Sequence, residues 1–327
     1  MWKYSYYILA VLAVLISGRI LQYHLMADFA AKGNVWWLRY IMGRSPSKKM
    51  RKSWRNSEDS EDCEGELLDR QAKEDACWLE SQASISLEIK AFDGVCLRGR
   101  YIRANEPERL AVFFHGWRST WARDGGSICR WLLSEHCDVL CVDQRSQGLS
   151  GGKYMGFGVL ESRDCCAWTQ FLAKQGNELP TYLVGVSMGA STVLMAAGET
   201  QPDFVKGIWG DCGFSSPYDM LNYYGGKHFA TKEHPAMDYV NHLIKTKAHY
   251  SLKEYSAAEA LKKSRLPVLL IHGTADGFVP CYMSGESYEA CASEKRLLLV
   301  EGAAHARSFL KDPEAYIQAV KDFFHWS

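Results

Sequence analysis

The chain has 327 residues, 47% of them hydrophobic, with Lys+Arg and Asp+Glu both at 38 and a formal net charge of zero. That length allows one large domain or two small ones, and 27 glycines against 9 prolines argue for a chain that is mostly globular. Balanced charge, with no basic face interleaved with aromatics, gives no argument for nucleic acid, and none is expected as a partner. The 11 cysteines have no metal-like spacing and no CxxC pattern, so they read as small buried hydrophobes in a reducing compartment.

Residues 6–16 (YYILAVLAVLI) are an unbroken apolar run, and Ile20 and Leu21 extend it past Arg19. The run reaches about 18–20 residues, a full span, only if Ser17, Gly18 and a snorkelling Arg19 are tolerated near its end. Residues 1–26 read as an uncleaved single-pass membrane anchor. A secretory leader is the competing reading, although no A-x-A-like site follows the run. Lys3 is the only side-chain cation before the run, whereas Arg19, Lys32, Arg39, Arg44 and a cluster from Lys48 to Arg55 follow it. That asymmetry puts the body on the cytoplasmic side. Residues 27–83 read as a juxtamembrane linker and helix. A basic block gives way to an acidic one (Glu58, Asp59, Glu61, Asp62, Glu64, Glu66), the composition of a solvated spacer. Helical spacing follows over 67–82, with Leu68, Ala72, Asp75 and Leu79 on one side.

Residues 84–327 form the body. Strand patterns at 84–90 and 96–103 flank an Asp93-Gly94 turn and read as a hairpin. Strand and helix patterns then alternate. Strands are expected at 110–114, 139–142, 182–186, 205–210, 268–272 and 296–300. Helices are expected at 125–135, 159–174, 188–197, 281–292 and 313–324. That alternation predicts an α/β fold with a mostly parallel sheet covered by helices on both faces. Residues 215–263 break the rhythm with helix and loop patterns only. Tyr218, Tyr223, Tyr224, Phe229 and Tyr239 make this stretch read as a helical lid, against the alternative of a surface excursion with no role.

The stretch 181–198 (TYLVGVSMGASTVLMAAG) carries Gly185-Val186-Ser187-Met188-Gly189 between a β-rich run and a good helix former. Strand, sharp turn and helix are the context in which Gly-x-Ser-x-Gly presents a serine oxygen to a substrate. A serine needs a base to take its proton, and the base needs a third group to hold it. Asp276 stands just past the strand at 268–272, and His305 follows the last strand after a small-residue loop. Ser187, Asp276 and His305, in that order at three strand ends, are the candidate catalytic triad. The backbone N–H groups of Met188 and Trp117 are the candidate oxyanion donors. Asp211 is a rival acid, read here as a loop residue capping the amides of 211–213. The glycine-containing loop at 143–152 lacks the lysine and spacing of a phosphate loop and reads as structural.

From about Ala76 onward the chain resembles α/β-hydrolase-fold serine hydrolases. It is similar in particular to the membrane-anchored bacterial hydrolases of the serine aminopeptidase (S33)/lysophospholipase-like group. The residues that carry the resemblance are His115 to Ser119, Asp143-Gln144-Arg145, Gly148-Leu149-Ser150, residues 154–158 with Glu161 and Asp164, 185–189, 211–217, 271–280 and 302–305. The resemblance implies a serine hydrolase that needs no cofactor and no metal. The leading expectation is cleavage of a carboxylic ester, esterase- or lysophospholipase-like, through an acyl-enzyme on Ser187. Peptide or amide hydrolysis, or a non-catalytic binding protein on the same fold, are the alternatives. A small ester or lipid-like substrate and the membrane are the expected partners, with the oligomeric state open.

Overall fold

The computed structural model describes residues 63–228 and 237–326, together with residues 17, 20, 21, 23–25, 27, 28 and 30–32. The apolar run at 6–16, expected to lie in a membrane, falls outside the described residues. Among the described residues no helix is long and apolar enough to cross a membrane.

Eight strands form one sheet in the order β1-β2-β4-β3-β5-β6-β7-β8. They are β1 (Ile85–Lys90), β2 (Cys96–Ile102), β3 (Arg109–Phe114), β4 (Cys137–Asp143), β5 (Thr181–Val186), β6 (Val205–Asp211), β7 (Val268–Gly273) and β8 (Lys295–Val300). β1 and β2 form the expected hairpin, closed by Ala91 and Val95 with Gly94 at φ 82°. β2 also runs antiparallel to β4, and the remaining neighbours are parallel. Their composition explains their places. β4 is buried at every position and β5 likewise, as central parallel strands must be. β1, at the edge, is mostly exposed.

The helices are α1 (Cys63–Glu80), α2 (Trp121–Ser134), α3 (Val159–Lys174), α4 (Met188–Ala196), α5 (Pro217–His228), α6 (Met237–Ala248), α7 (Ala257–Leu261), α8 (Tyr282–Ala290), α9 (Ser308–Lys311) and α10 (Pro313–Phe324). Successive residues of β3 divide the core. Leu110, Val112 and Phe114 face one apolar cluster with α3, α4 and α6. Ala111 and Phe113 face the other, with α2 and α10.

Three stretches differ from expectation. α1 begins at Cys63, so Glu64 and Glu66 lie in a helix rather than in a spacer. It is docked on the body: Asp75 accepts from Ser127 Oγ at 2.6 Å and from Arg130 Nη1 at 2.8 Å, and Leu79 is fully buried. α7, inside the stretch expected to be lid, belongs to the body. Its Ala257, Ala260 and Leu261 are fully buried, and Ser256 caps it by accepting from Glu259 N. Residues 27–31, where described, are helical and bury Ala27, Ala30 and Ala31 against the body rather than forming a linker.

Candidate active site

The carboxyl ends of β5, β6 and β7 and the loop after β8 bring Ser187, Asp211, Asp276 and His305 to one edge of the sheet. Ser187 sits between β5 and α4 at φ 57°, ψ −121°. A non-glycine residue held there costs about 1–3 kcal/mol, and the surrounding backbone must over-determine it. It does. Ser187 N donates to Asp211 O at 2.8 Å. A Cβ on Gly185 would collide with the Gly189 carbonyl, and one on Gly189 with the carbonyl of Phe114. Only bare backbone lets strand and helix approach this closely, which is why both flanking positions are glycine.

His305 Nε2 lies 2.9 Å from Ser187 Oγ, and its Nδ1 lies 2.6 Å from Asp276 Oδ2. Asp276 is held in turn: Oδ1 accepts from Phe278 N at 2.8 Å and Val279 N at 2.9 Å. Burial alone would push its carboxyl up. The His305 and His272 rings outweigh burial, so the group sits below the usual carboxylate range. An ionised Asp276 can only accept, so Nδ1 of His305 carries the proton and Nε2 presents its lone pair to the serine hydroxyl. For His305 itself, burial pulls the pKa down. Asp276, with smaller contributions from Asp124 and Asp211, more than reverses this, and the net shift is upward.

His272, which sequence reasoning passed over as a strand residue, supports the acid from behind. It is fully buried, and its Nε2 donates to Val279 O at 3.0 Å and lies 3.3 Å from Asp276 Oδ2. Its Nδ1 accepts from Ser284 Oγ at 2.7 Å. The spacing of four residues from His272 to Asp276 was the only sign of it in the sequence.

Asp211 does not cap the amides of 211–213, as the sequence suggested. It ends β6, is buried, and accepts from Ser308 Oγ at 2.7 Å. Burial raises its pKa to about 6, against the opposing pull of Ser308, His272 and His305.

The turn after β3 lies against the serine, since a Cβ on Gly116 would sit 3.1 Å from that of Ser187. Gly116 N is already engaged with Asp124 Oδ2 at 2.7 Å, and Asp124 Oδ1 accepts from Ser119 Oγ at 2.6 Å. His115 is buried and held neutral, because burial lowers its pKa. Its Nδ1 donates to Gly116 O at 2.8 Å and its Nε2 accepts from Gln144 N at 3.2 Å. Gln144 reaches back to the His115 carbonyl and accepts from Thr192 Oγ1 of α4. Asp124 is a second residue that no sequence motif marked.

The loop at 143–152 is structural here too. A Cβ on Gly148, at φ 54°, would collide with the Asp143 carboxylate. Arg145 is buried between Asp164 (2.6 Å) and Asp93 (2.8 Å). A cavity of about 610 Å³ between α1 and α2, lined by Trp78, Arg103, Arg130 and Trp131 among others, touches none of Ser187, Asp276 or His305. Aromatic rings pack beside His305: Phe278 lies edge-on to it at 4.9 Å, and Tyr224 of α5 packs on Phe278 at 5.5 Å. Cys212, Asp276 and His305 place donor atoms within 4.8 Å of one another, the geometry a metal ion could use. The carboxylate and ring are already bonded together, however, and burial pushes the Cys212 thiol well up, so it stays protonated and is a poor ligand.

Residues 111–319 match the Alpha/beta hydrolase family. The chain is similar to the uncharacterized protein YqkD of Bacillus subtilis, at 29% identity over 75% of this chain and 80% of the relative. It is also similar to the uncharacterized protein YfhR of Escherichia coli K12, at 24% over 73% and 79%. Among solved structures it resembles the Pyrococcus furiosus esterase Pf2001, with a TM-score of 0.61 and 26% identity over 75% of this chain and 93% of that one. With the strand order, the turn at Ser187 and this match over most of its body, the chain belongs to the alpha/beta hydrolase family.

Proposed function

We propose that the protein is a serine hydrolase that cleaves carboxylic esters through an acyl-enzyme on Ser187. The observation that carries this reading is the line from Ser187 Oγ to His305 Nε2 (2.9 Å) and from His305 Nδ1 to Asp276 (2.6 Å). His305 takes the serine proton as Oγ attacks the ester carbonyl, then gives it to the departing alkoxide. Water, activated by the same nitrogen, releases the acid. Asp276 keeps the imidazole in the right tautomer and stabilises the imidazolium without taking the proton. The oxyanion accepts from two backbone amides. Met188 N is the first amide of α4, where the helix dipole adds to the bond. Trp117 N is the other. Gly116 N is committed to Asp124, which leaves Trp117 as the next amide of that turn.

The likeness to an esterase supports ester over amide chemistry. The rings of Phe278 and Tyr224 support an apolar acyl group. The test is a panel of acyl esters of graded length beside aminoacyl amides, run with a fluorophosphonate labelling gel. Wild-type protein should label and favour an apolar ester. Ser187→Ala should abolish both labelling and turnover while keeping its melting temperature. Labelling that persists on another serine would sink the assignment.

A further inference from the structure

Three consecutive carbonyls in the stretch 30–32 each receive a donor from a residue beside the site. Trp117 Nε1 donates to Ala30 O at 3.2 Å, Met155 N to Ala31 O at 2.6 Å, and Arg118 Nη2 to Lys32 O at 2.8 Å. Lys32 pairs antiparallel with Tyr154, and Phe157 of the same loop stacks on Trp117 at 6.4 Å. The stretch is fixed to the lid as well. Asp28 pairs with Lys247 of α6 at 2.7 Å and with Lys32 at 2.9 Å, and Tyr23 packs edge-on to Tyr239 of α6 at 6.0 Å.

We propose that residues 27–32 are a strap belonging to the active site, in which Asp28 and the carbonyls of Ala30 and Lys32 tie lid helix α6 to the turn carrying Trp117. Seating the lid and aligning the Trp117 amide are then one event, and Asp28 and Lys247 are a positioning pair. The proposal rests on the hydrolase reading above.

The physical argument concerns a peptide plane. A backbone N–H points where its plane points, and an oxyanion donor works only if aimed beforehand. Asp124 holds the plane upstream, through Gly116 N. Downstream, Arg118 sits at φ 53°, in the left-handed region that a side chain does not choose unaided. The strap carbonyls hold the side chains on either side of that bend. Asp28 is mostly buried, with 19% of its side chain exposed, and so is Lys247 at 27%. Burial would raise the Asp28 carboxyl, and the ammonium groups of Lys247 and Lys32 keep it below its usual value instead. The Asp28 carboxyl is therefore held in its charged form, and reversing one partner places like charges in contact.

The test is a charge swap in the full-length chain: Asp28→Lys, Lys247→Asp, and both together. Each single variant should lose about five- to tenfold in kcat on the best ester, and as much in fluorophosphonate labelling rate, the scale of a partly buried pair. The melting temperature should change little, and the double variant should recover part of the loss, since Lys32 still faces a cation at position 28. A strap that serves only packing would lower the melting temperature and leave the labelling rate of the folded protein untouched. Unchanged labelling in both single variants, or a double variant no better than either, overturns the proposal while the hydrolase reading stands. A wild-type chain that neither labels nor cleaves any ester sinks both.

Discussion

Asp211 ends β6 and Asp276 stands just past the neighbouring parallel strand β7, and both are buried. Their environments push them in opposite directions. Asp276 receives two backbone amides and a histidine ring, and stays ionised. Asp211 receives one serine hydroxyl, and burial raises it to about 6. Burial is common to both, so it cannot decide which is the better candidate for the acid of the proposed triad. The donors do. A carboxylate that can hold an imidazolium must first be stable as a carboxylate, and it is the His305 and His272 rings against Asp276 that outweigh its burial.

The largest test of this contrast is Asp276→Asn. Losing the charge leaves His305 in the wrong tautomer, and turnover should fall by about 10⁴-fold with a modest change in melting temperature. A nearly normal Asp276→Asn beside a dead Asp211→Asn would reverse the assignment. Next is Asp124→Ala, which frees Gly116 N and loosens the turn. It should cost about 10²-fold in kcat, with a smaller effect on KM, since removing an oxyanion donor outright costs about 10²–10³. An unchanged kcat would show that the turn is held without it.

The pH profile follows in size. His305 must be neutral to accept the serine proton, and its pKa is raised. Turnover should therefore begin to fall on the acid side at a pH above the usual imidazole value of about 6.5, by about tenfold per unit below it. A limb lying below that value would mean that Asp276 does not govern the ring.

Smallest is Asp211→Asn, with activity expected within a few-fold of wild type. Its stability effect has a definite sign. Between its ordinary 3.8 and about 6, the folded chain holds a proton that the unfolded chain has released. The wild type thus loses stability as pH rises through that window, and above it the full cost of a buried charge remains. Asparagine removes that cost, so the variant should melt higher than wild type at pH 8, with the difference vanishing towards pH 4. Asp276 behaves in the opposite sense, since its contribution is present above its unfolded value and is lost as pH falls. An Asp211→Asn variant that melts lower at pH 8 would place the Ser308 bond above the buried charge in importance.

Much of this architecture was legible in the sequence because it rests on local patterns. Apolar β-rich runs marked the strands to within two residues, and Gly185-x-Ser187-x-Gly189 needs its glycines for contacts any such turn must make. The candidates Ser187, Asp276 and His305 each follow a strand, so their convergence at one sheet edge follows from parallel topology. What escaped the sequence depends on distant partners. Asp124 acts on a turn eight residues upstream through one carboxylate. Ser308, which engages Asp211, comes from the start of α9. α2 begins at Trp121, ahead of the expected start, because Thr120 caps it. α7 reads as lid by its place in the chain, and only its packing puts it in the body. Ala30, Ala31 and Lys32 look like linker because their contacts with residues 117, 118 and 155 are made by main-chain carbonyls, which leave no trace in residue identity.

The contact between Gly189 and the carbonyl of Phe114 has a mechanical consequence. The start of α4 and the end of β3 meet through bare main chain, so the proposed nucleophile and the turn proposed to face the oxyanion share one mount. Motion of the sheet carries the two together, and the gap between Ser187 and that turn stays nearly constant. The covering segments reach that frame at Trp117 and Arg118, whose side chains bond the carbonyls of Ala30 and Lys32. The molecule thus separates a stiff reaction frame from an adjustable doorway, and changes in substrate range should accumulate in the doorway.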